Sequence, residues 1–516
     1  MPHTRRDVWK LPAGDKTLEW YGKAVEVLRK RALTQPNSWR YLAAMHGASE
    51  VMWRDAGYLD DGSSFPTPRP SSPAWDQCQH QSWFFLPWHR GYLAAFEAIV
   101  RDTIAKMPGG PTDWALPYWD YNDTSNSHRL EMPPAFAEPT LPGGAQNGLF
   151  VERRFGESEG AIVLDDDRIN IRPAMLSRRF TGVEAGASSG FGGPSTPFHH
   201  GGGTGGILEG EPHNQVHGMV GGGIRNQNGA IILGLMSHPN TAALDPIFWL
   251  HHANIDRLWD VWLKRAPEQN KNPQQVEWVK GPQDIKFTMP NVDGSTYQFS
   301  PTDVLDTTAP RLDYTYESTA DPFPGQSRMV ARLRSLNASV EAVTLAARAQ
   351  PMPTELVGAY RQTLRVGPTP VSASVPLDTQ TARKTMASLN RAATGLEAAT
   401  EPDRIFVNIE NIRGKNDAAA FYVYVNLPEN ADPKAYPDHR ARAITLFGVE
   451  QASRPDGKHA GNGLTEVVEI TDVVDKLHAK GVLGDDQIKV SLVPANDIQM
   501  QDDISVGGIS VYRQGP

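Results

Sequence analysis

The sequence predicts a mainly α-helical N-terminal domain followed by an all-β, sandwich-like C-terminal domain. Apolar residues recur three or four positions apart through 88–105, which is the spacing of one buried helix face. Asp245 and Pro246 form a further helix start signal. From Leu356 onward, short runs rich in β-branched and aromatic residues follow one another, as strands of a sandwich do.

The length of 516 residues predicts two or three domains, because one hydrophobic core rarely serves so long a chain. The pattern changes character after Tyr316, where a polar segment separates the helical part from the strand-like part. We therefore predict a helical domain over 1–318, a linker over 319–350 and a β domain over 351–516.

Composition and charge exclude several classes of partner. The net charge of −9 does not favour nucleic acid or an anionic membrane surface. No apolar run approaches the roughly 20 residues of a transmembrane helix, and no secretion signal is recognisable. The single cysteine, Cys78, cannot form an intrachain disulfide. We expect a cytoplasmic protein, and homo-oligomer formation stays open.

The elements follow in order along the chain. Helices are predicted over 16–35, from 36–38 through His46, over 88–105, from Pro212 and from Asp245 to about Lys264. The Gly-rich tract 182–206 has no phosphate-binding pattern and predicts a surface loop. Strands are predicted over 371–375, 405–409, 421–427, 443–447, 466–470 and 488–492.

Six of the 15 histidines fall into two sets of three. His213 and His217 are four residues apart and share one helix face, and His252 in the next helix completes their set. The other set consists of His46, His80 and His89, placed on a helix, in a loop and at a helix start. Antiparallel helices can bring both sets together in a four-helix bundle.

The ligand type restricts the choice of metal to ions that bind imidazole without other ligand types. Two all-histidine sets without carboxylate or thiolate best suit a pair of copper ions that share O2. His251 is adjacent to His252, so only one of them can point at the same metal, and we assign His251 to the surroundings of the site. His199, His200 and His238 lie in predicted loops and are not expected to be ligands.

Three segments of the chain resemble one known family. Trp83–Glu97, Pro212–His217 and Asp245–Trp259 resemble the type 3 (coupled binuclear) copper proteins, which include tyrosinases, catechol oxidases, o-aminophenol oxidases and haemocyanins. The chain most resembles a bacterial tyrosinase or polyphenol oxidase with a C-terminal extension. The resemblance covers about 20–318 and implies that His46, His80 and His89 bind one copper ion. It implies His213, His217 and His252 for the other.

The resemblance also assigns roles to neighbouring residues. Cys78 resembles the cysteine that forms a thioether with the histidine two positions later, here His80; the alternative is a free buried thiol. Asp256 resembles the acidic residue that orients ligand imidazoles by a hydrogen bond. Tyr314 and Tyr316 resemble the tyrosine motif that closes the family's catalytic domain.

Glu209 and Asn214 resemble the pair that holds a water molecule able to deprotonate a monophenol. Glu209 could instead be a carboxylate that stabilises a helix start, and Asn214 could be a helix residue that faces solvent. The resemblance implies an enzyme that uses O2 to hydroxylate small monophenols to o-diphenols and to oxidise these to o-quinones. A catechol oxidase or an o-aminophenol oxidase would use the same histidines. A haemocyanin-like O2 carrier is the alternative from another class. The C-terminal domain is expected to cover the active site.

Overall fold

The structure is a computed structural model of the whole chain. It describes residues 2–66, 74–157, 160–182, 186–196, 203–283, 285–327, 332, 353–394, 402–456 and 461–515. Two compact units are present. The first comprises Met1–Ile171, Thr196–Gly201 and Glu211–Pro322, and the second comprises Arg172–Ser195, Gly202–Gly210 and Phe323–Pro516. Sequence patterns anticipated two continuous domains, and they gave no sign that 172–195 and 202–210 belong with the C-terminal part.

The five predicted helices are present, but some of their limits differ from the prediction. The first ends at Arg29, the helix predicted from position 88 begins at Phe85, and the one predicted from Pro212 begins at Asn214. The starts predicted near Ser38 and at Asp245 are confirmed. The Ser38 hydroxyl accepts a hydrogen bond from the Tyr41 amide at 3.1 Å, and Asp245 Oδ1 accepts one from the Ile247 amide at 3.0 Å. The α-helices among the described residues are α1 Thr17–Arg29, α2 Trp39–His46, α3 Glu50–Asp55, α4 Phe85–Ala105, α5 Arg172–Met175, α6 Asn214–Gly221, α7 Pro239–Ala242, α8 Ile247–Arg265, α9 Val276–Lys280, α10 Thr379–Thr394, α11 Val449–Ser453 and α12 Thr471–Ala479.

The strands among the described residues are β1 His3–Arg5, β2 Gly223–Arg225, β3 Ile231–Leu233, β4 Phe287–Pro290, β5 Thr296–Phe299, β6 Tyr314–Tyr316, β7 Thr354–Tyr360, β8 Leu364–Val366, β9 Val371–Pro376, β10 Arg404–Ile412, β11 Ala420–Val425, β12 Arg440–Thr445, β13 Leu464–Glu469, β14 Gln487–Pro494, β15 Ile504–Val506 and β16 Gly508–Gln514. Eight of those in the second unit form two four-stranded sheets, in the orders β13-β10-β16-β7 and β12-β11-β14-β9, and β8 pairs with β15. All six predicted strands are present within a few residues.

The prediction of an all-β C-terminal domain was too narrow, because α10, α11 and α12 pack with these sheets. Leu389 of α10 and Leu477 of α12 are buried in the same hydrophobic core as the strands. The predicted linker 319–350 lies largely outside the described residues. Among the described residues, no helix combines the length and apolarity needed to cross a bilayer.

A buried ion cluster joins distant parts of the first unit around Asp256. Its carboxylate accepts hydrogen bonds from Arg90 Nε at 2.5 Å, Tyr314 Oη at 2.5 Å and Tyr316 Oη at 2.6 Å. Arg5 Nη1 lies 3.4 Å from the same carboxylate. Arg5 stands on β1, which pairs in parallel with β6. The ion cluster therefore connects four elements of the first unit, namely β1, β6, α4 and α8.

Two further carboxylates complete this cluster. Glu97 Oε2 accepts from Arg5 Nε at 2.9 Å, and Asp260 Oδ1 accepts from Arg90 Nη2 at 2.7 Å. Burial by itself would raise the pKa of Asp256, but Arg90 and Arg5 outweigh it, so this pKa is lowered. Asp256 is therefore an anion in the interior of the protein, balanced by two guanidinium groups.

Replacing Asp256 with alanine should lower the free energy of unfolding by about 3–5 kcal/mol, because Arg5 and Arg90 would stay buried without their counter-charge. Denaturant titration of the variant measures this change. The exposed pair Lys106–Asp102 provides the control, since Asp102→Ala should cost about 1 kcal/mol or less. Equal effects of the two substitutions would contradict a structural role for the cluster.

Candidate metal centre

The structure brings the six predicted histidines into two adjacent clusters within the first unit. His46 ends α2, His80 precedes α4 and His89 lies in the second turn of α4. One ring nitrogen of each of these histidines and the Cys78 sulfur all lie within 4.8 Å of one another. The second cluster, within the same limit, consists of His213, His217, His251 and His252.

In the first cluster, the ring nitrogens of three helix or loop residues point inward. His46 Nε2 lies 3.3 Å from His80 Nε2, and Cys78 Sγ lies 3.5 Å from His89 Nε2. His46, Cys78 and His89 are at most 3% exposed. The cluster is thus a group of nitrogen donors with one thiol beside them, buried at three residues and half-buried at His80.

In the second cluster, three Nε2 atoms converge. His252 Nε2 lies 3.3 Å from His213 Nε2 and 3.4 Å from His217 Nε2. The neighbouring His251 instead has its Nδ1 3.2 Å from the Tyr121 hydroxyl. This arrangement favours His252 over His251 as the third ligand, although both rings belong to the cluster. Tyr121 was not anticipated from the sequence.

Backbone carbonyls fix the orientation of three of these rings. His46 Nδ1 lies 2.7 Å from Pro239 O, and His217 Nδ1 lies 2.8 Å from Met236 O. His89 Nδ1 lies 2.8 Å from Phe85 O. A carbonyl can only accept, so each Nδ1 carries the proton and each Nε2 presents a lone pair. Lone pairs that face each other at about this distance need a cation between them, so the donor set fits a metal.

One short segment orients rings of both clusters. The 3₁₀ turn Leu235–Ser237 supplies the carbonyl that holds His217, and α7 begins with the Pro239 carbonyl that holds His46. The segment 235–239 therefore keeps the two clusters in register.

The two clusters are close enough to act on one small molecule. The rings of His89 and His252 stack with centroids 4.4 Å apart and an interplanar angle of 12°. The ring centroids of His80 and His213 are 5.4 Å apart. Metal ions held by the two clusters would therefore be neighbours, as a shared O2 molecule requires.

Two phenylalanines pack between the ligand rings and were not predicted from the sequence. Phe85 has its ring centroid 4.6 Å from that of His89 and 4.8 Å from that of His213. Phe248 lies 4.1 Å from the centroid of His252 and 4.9 Å from that of His46. Each phenylalanine thus packs against ligand rings of both clusters.

Burial keeps these imidazoles neutral. Burial lowers the pKa of His46 to about 4. Burial, reinforced by neighbouring imidazoles, also lowers the pKa of His80, His89, His217 and His252 well below the usual value. Neutral imidazole is the form that binds a metal, so no proton has to leave these rings near pH 7.

The prediction that Asp256 orients a ligand imidazole was wrong. Its hydrogen bonds go to Arg90, Tyr314 and Tyr316 and its remaining ion pair to Arg5, none of which is an imidazole. The two guanidinium groups attract the carboxylate more strongly than a neutral ring would. The backbone carbonyls described above take over the orienting role.

Glu209 and Asn214 flank His213 in the chain. Glu209 lies in the segment Glu209–His213, whose backbone is extended at Glu211 (φ −151°, ψ 118°), and it is 2% exposed. A Cβ added to Gly205 would lie 3.0 Å from Glu209 Oε2, so the glycine leaves room for this carboxylate. Asn214 Oδ1 lies 2.9 Å from His213 Nδ1 and helps to orient that ring.

The segment that carries Glu209 packs against strands of the second unit. Thr465 donates its amide hydrogen to Gly203 O at 2.5 Å. A Cβ on Gly210 would lie 3.4 Å from Arg442 Nη1, and Arg442 pairs with Glu466. Gly203, within the tract 182–206, and Gly210, just after it, therefore pack closely against strands, which the prediction of a surface loop did not foresee.

The other histidines singled out in the sequence are separate from the centre or undescribed. His238 is buried and its Nδ1 accepts a hydrogen bond from the Asn240 amide at 3.0 Å, so it caps α7. His199 and His200 lie outside the described residues.

Comparisons with known proteins agree with this geometry. A model of the common central domain of tyrosinase matches residues 36–265, and a domain of unknown function, DUF7868, matches 353–514. The chain is 34% identical to tyrosinase HcTyr1 of Hahella sp. (strain CCB-MM4), over 99% of both chains. It is 25% identical to a chloroplastic polyphenol oxidase of Malus domestica, over 95% of this chain and 74% of that protein.

Solved structures share the fold of the chain. Latent apple tyrosinase aligns with 99% of this chain and 97% of its own, with a TM-score of 0.58 and 20% identity. Recombinant latent aurone synthase aligns with 100% of this chain and 90% of its own, with a TM-score of 0.59 and 17% identity.

Acidification should destabilise the metal-free protein. Unfolded histidines take up protons below about pH 6.5, whereas the folded His46 does so only near a pKa of about 4. Above about pH 6.5 neither state takes up protons on these rings, so the free energy of unfolding does not change with pH through them. As the pH falls from there, the free energy of unfolding should drop by up to about 1.4 kcal/mol per pH unit for each buried imidazole.

Denaturant titrations of the metal-free protein between about pH 7.5 and about pH 5 measure this slope. His217→Gln should make the slope shallower, because one buried imidazole is gone. The exposed His128 provides the matched control, and His128→Gln should keep the slope of the parent protein. A stability that does not change over this range would contradict the neutral, buried state of the cluster.

Proposed function

The chain belongs to the tyrosinase family of binuclear copper proteins, and from this premise we propose that it hydroxylates monophenols to o-diphenols and oxidises o-diphenols to o-quinones. The observation that carries the proposal is the convergence of neutral imidazole nitrogens in two adjacent clusters. The family acts on phenolic substrates with O2 and two copper ions.

We propose that His46, His80 and His89 hold one copper ion and that His213, His217 and His252 hold the other. The copper pair, when bound, supplies the electrons that reduce O2 and the oxidising power used on the phenol ring. The protein keeps the nitrogens unprotonated, aims them through the carbonyls of Pro239, Met236 and Phe85, and packs Phe85 and Phe248 against the ligand rings. α2, α4, α6 and α8 would then act as a four-helix bundle around the metals.

Monophenol hydroxylation additionally needs a base. A free phenol has a pKa of about 10, so near neutral pH its proton must be taken up as it binds. We propose that Glu209, with Asn214, holds a water molecule that accepts this proton. Glu209 is buried, and Asn214 has an amide NH2 beyond the oxygen that faces His213.

We also propose that Cys78 and His80 become joined by a thioether. The thiol is buried and belongs to the same cluster as His80. Forming the C–S bond removes one hydrogen from the thiol and one from a ring carbon, a two-electron oxidation for which O2 is the oxidant. The bond would lock the ring of His80, which comes from a loop and not from a helix.

Finally, we propose that the β domain, with the limits 351–516, covers the active site until the linker 319–350 is cut. The two solved structures described above that match nearly the whole chain are both called latent. A covering domain would explain why a chain with a complete histidine centre carries a second unit.

Glu209→Gln should lower the turnover of L-tyrosine by about 100-fold or more, because general-base catalysis contributes at least this much. Turnover of L-DOPA, which reacts as a diphenol, should change far less. Assays of the copper-loaded proteins with both substrates, at equal copper content, measure the two effects.

Glu211→Gln is the matched control, since Glu211 is a buried carboxylate nearby that accepts from the Asn170 amide. It should not change the ratio of the two activities. Equal losses on both substrates in Glu209→Gln would contradict the base. Turnover of diphenols or of aminophenols alone in the parent protein would favour a catechol oxidase or an o-aminophenol oxidase. Reversible O2 binding without turnover would favour an O2 carrier.

Mass spectrometry of peptides from protein exposed to copper and O2 should find the Cys78 and His80 peptide lighter by two hydrogens. The thiol should then resist alkylation. In Cys78→Ser, the same peptides should have the masses calculated from their sequence, with no loss of two hydrogens. A freely alkylated Cys78 in active protein would contradict the thioether.

Limited proteolysis within 319–350 should raise diphenol turnover once the C-terminal fragment is separated. Because 172–195 and 202–210 belong to the second unit, cleavage alone should leave the fragment bound. Activity is therefore compared before cleavage, after cleavage and after separation. Unchanged activity after clean removal, with copper retained, would contradict a covering role.

A further inference from the structure

The segment that carries Glu209 lies at one edge of the two four-stranded sheets of the second unit. The segment 203–210 belongs to this unit, and β12 and β13 are each the end strand of their sheet. The Thr465 amide on β13 donates a hydrogen bond to Gly203 O at 2.5 Å. Backbone groups at a sheet edge need a partner or a cover. Glu209 is therefore placed by the unit that forms these sheets.

An ion pair connects the two edge strands from the inside. Arg442 of β12 pairs with Glu466 of β13. Arg442 stands opposite Val423, and Glu466 stands opposite Ile409. Opposite residues of an antiparallel pair share one face of the sheet, and Val423 and Ile409 belong to the hydrophobic core. Both charged side chains therefore start from the inner faces of the two sheets.

Stability alone does not explain charges at these two positions. Leu464 and Val468, two residues before and after Glu466 on the same face of β13, are apolar core residues. Burial raises the pKa of Glu466, and the opposing effect of Arg442 does not cancel the rise. A pair of apolar side chains of similar volume would often be equally or more stable than a buried ion pair. The charges therefore indicate a role other than core stability.

The ion pair packs against the backbone next to Glu209. A Cβ added to Gly210 would lie 3.4 Å from Arg442 Nη1 and 3.7 Å from Glu466 Oε2. Both partners of the pair therefore lie against Gly210, and their mutual attraction keeps them there. Gly210 is bonded directly to Glu209, so a shift of its backbone would move the carboxylate of Glu209.

The residues before Glu209 are held by another part of the same unit. The amides of Ile207 and Leu208 donate to the carbonyls of 190–191 at 2.9 and 3.3 Å. The turn 206–210 then closes with a hydrogen bond of 2.9 Å between its end residues. The ion pair lies against the last residue of this turn. The turn that contains Glu209 is thus supported before and after the glutamate.

We propose that Arg442 and Glu466 are positioning residues that hold Glu209 where it can assist the uptake of the phenol proton. They act through the backbone of Gly210. The proposal rests on the proposed function of Glu209. Displacing a catalytic group by about 1 Å can lower a rate by about 100-fold. The second unit is then required for the hydroxylation of monophenols, in addition to covering the site.

Hydrogen exchange of the full-length, copper-free protein tests whether the pair holds the turn. The double variant Arg442→Met with Glu466→Met replaces the pair by flexible apolar side chains of similar length. Its melting temperature should stay the same or rise, and the amides of 206–210 should exchange about 10-fold faster. Unchanged exchange would overturn the proposal. If the double variant does not fold, Arg442→Lys replaces it and should accelerate exchange less, because lysine keeps the charge but lacks the planar group.

A second ion pair on β13 provides the matched control. Arg404 and Glu469 pair at 2.8 Å, with side chains 17% and 19% exposed against 17% and 12% for Arg442 and Glu466. Glu469 is three positions from Glu466 and therefore projects from the opposite face of the strand. Replacing Arg404 and Glu469 with methionine should leave the exchange of 206–210 unchanged. Equal acceleration in both double variants would indicate general loosening of the unit and overturn the proposal.

Turnover by the copper-loaded proteins tests the effect on hydroxylation. In Arg442→Met with Glu466→Met, kcat for L-tyrosine should fall by about 10-fold or more, with KM unchanged and with L-DOPA turnover close to that of the parent protein. Added to Glu209→Gln, the two substitutions should lower L-tyrosine turnover no further, because they act through Glu209. A further loss there, or normal L-tyrosine turnover despite faster exchange, would overturn the proposal.

Failure of the proposed function has a separate signature. Equal losses of L-tyrosine and L-DOPA turnover in Glu209→Gln would contradict the role of Glu209 in proton uptake. The exchange rates are measured without copper or substrate and do not depend on that result. Slow exchange that persists without the ion pair would contradict the positioning role alone, so the two failures can be told apart.

Discussion

The structure depends on one constraint, which is that several unprotonated imidazole nitrogens must face each other in the protein interior. Without a cation this arrangement is unfavourable, so the surrounding protein has to hold every ring in place. Carbonyls of Pro239, Met236 and Phe85 supply the acceptors, and burial lowers the pKa of the rings. Helix packing alone would leave the rings free to turn away from each other.

The ion cluster around Asp256 extends this control to the helices themselves. His89 and Arg90 are adjacent on α4, and His252 and Asp256 are one turn apart on α8. The hydrogen bond from Arg90 Nε to Asp256 Oδ1 at 2.5 Å therefore ties together two helices that carry ligands of different clusters. The separation of the two clusters is fixed by charge at one side and by the segment 235–239 at the other.

Sequence patterns predicted much of this arrangement, and the exceptions have physical causes. Helix starts and the histidine spacing are local features, so α2, α4 and α8 and the six clustered rings were found from the sequence. Asp256 was misassigned because its partner Arg5 is distant in the chain and no local pattern reveals the pair. Carbonyl acceptors leave no mark in the side-chain sequence. α10 was missed because its composition is largely polar.

The sharing of chain segments between the two units has a consequence for how this protein can change. Because 172–195 and 202–210 lie within the second unit, the C-terminal part is not a portable module. A recombination event, or a design that joins it to another catalytic domain near residue 320, would separate Arg442 and Glu466 from the Gly210 backbone they pack against. A successful chimera would have to carry these inserted segments along, so the two units are expected to be inherited together.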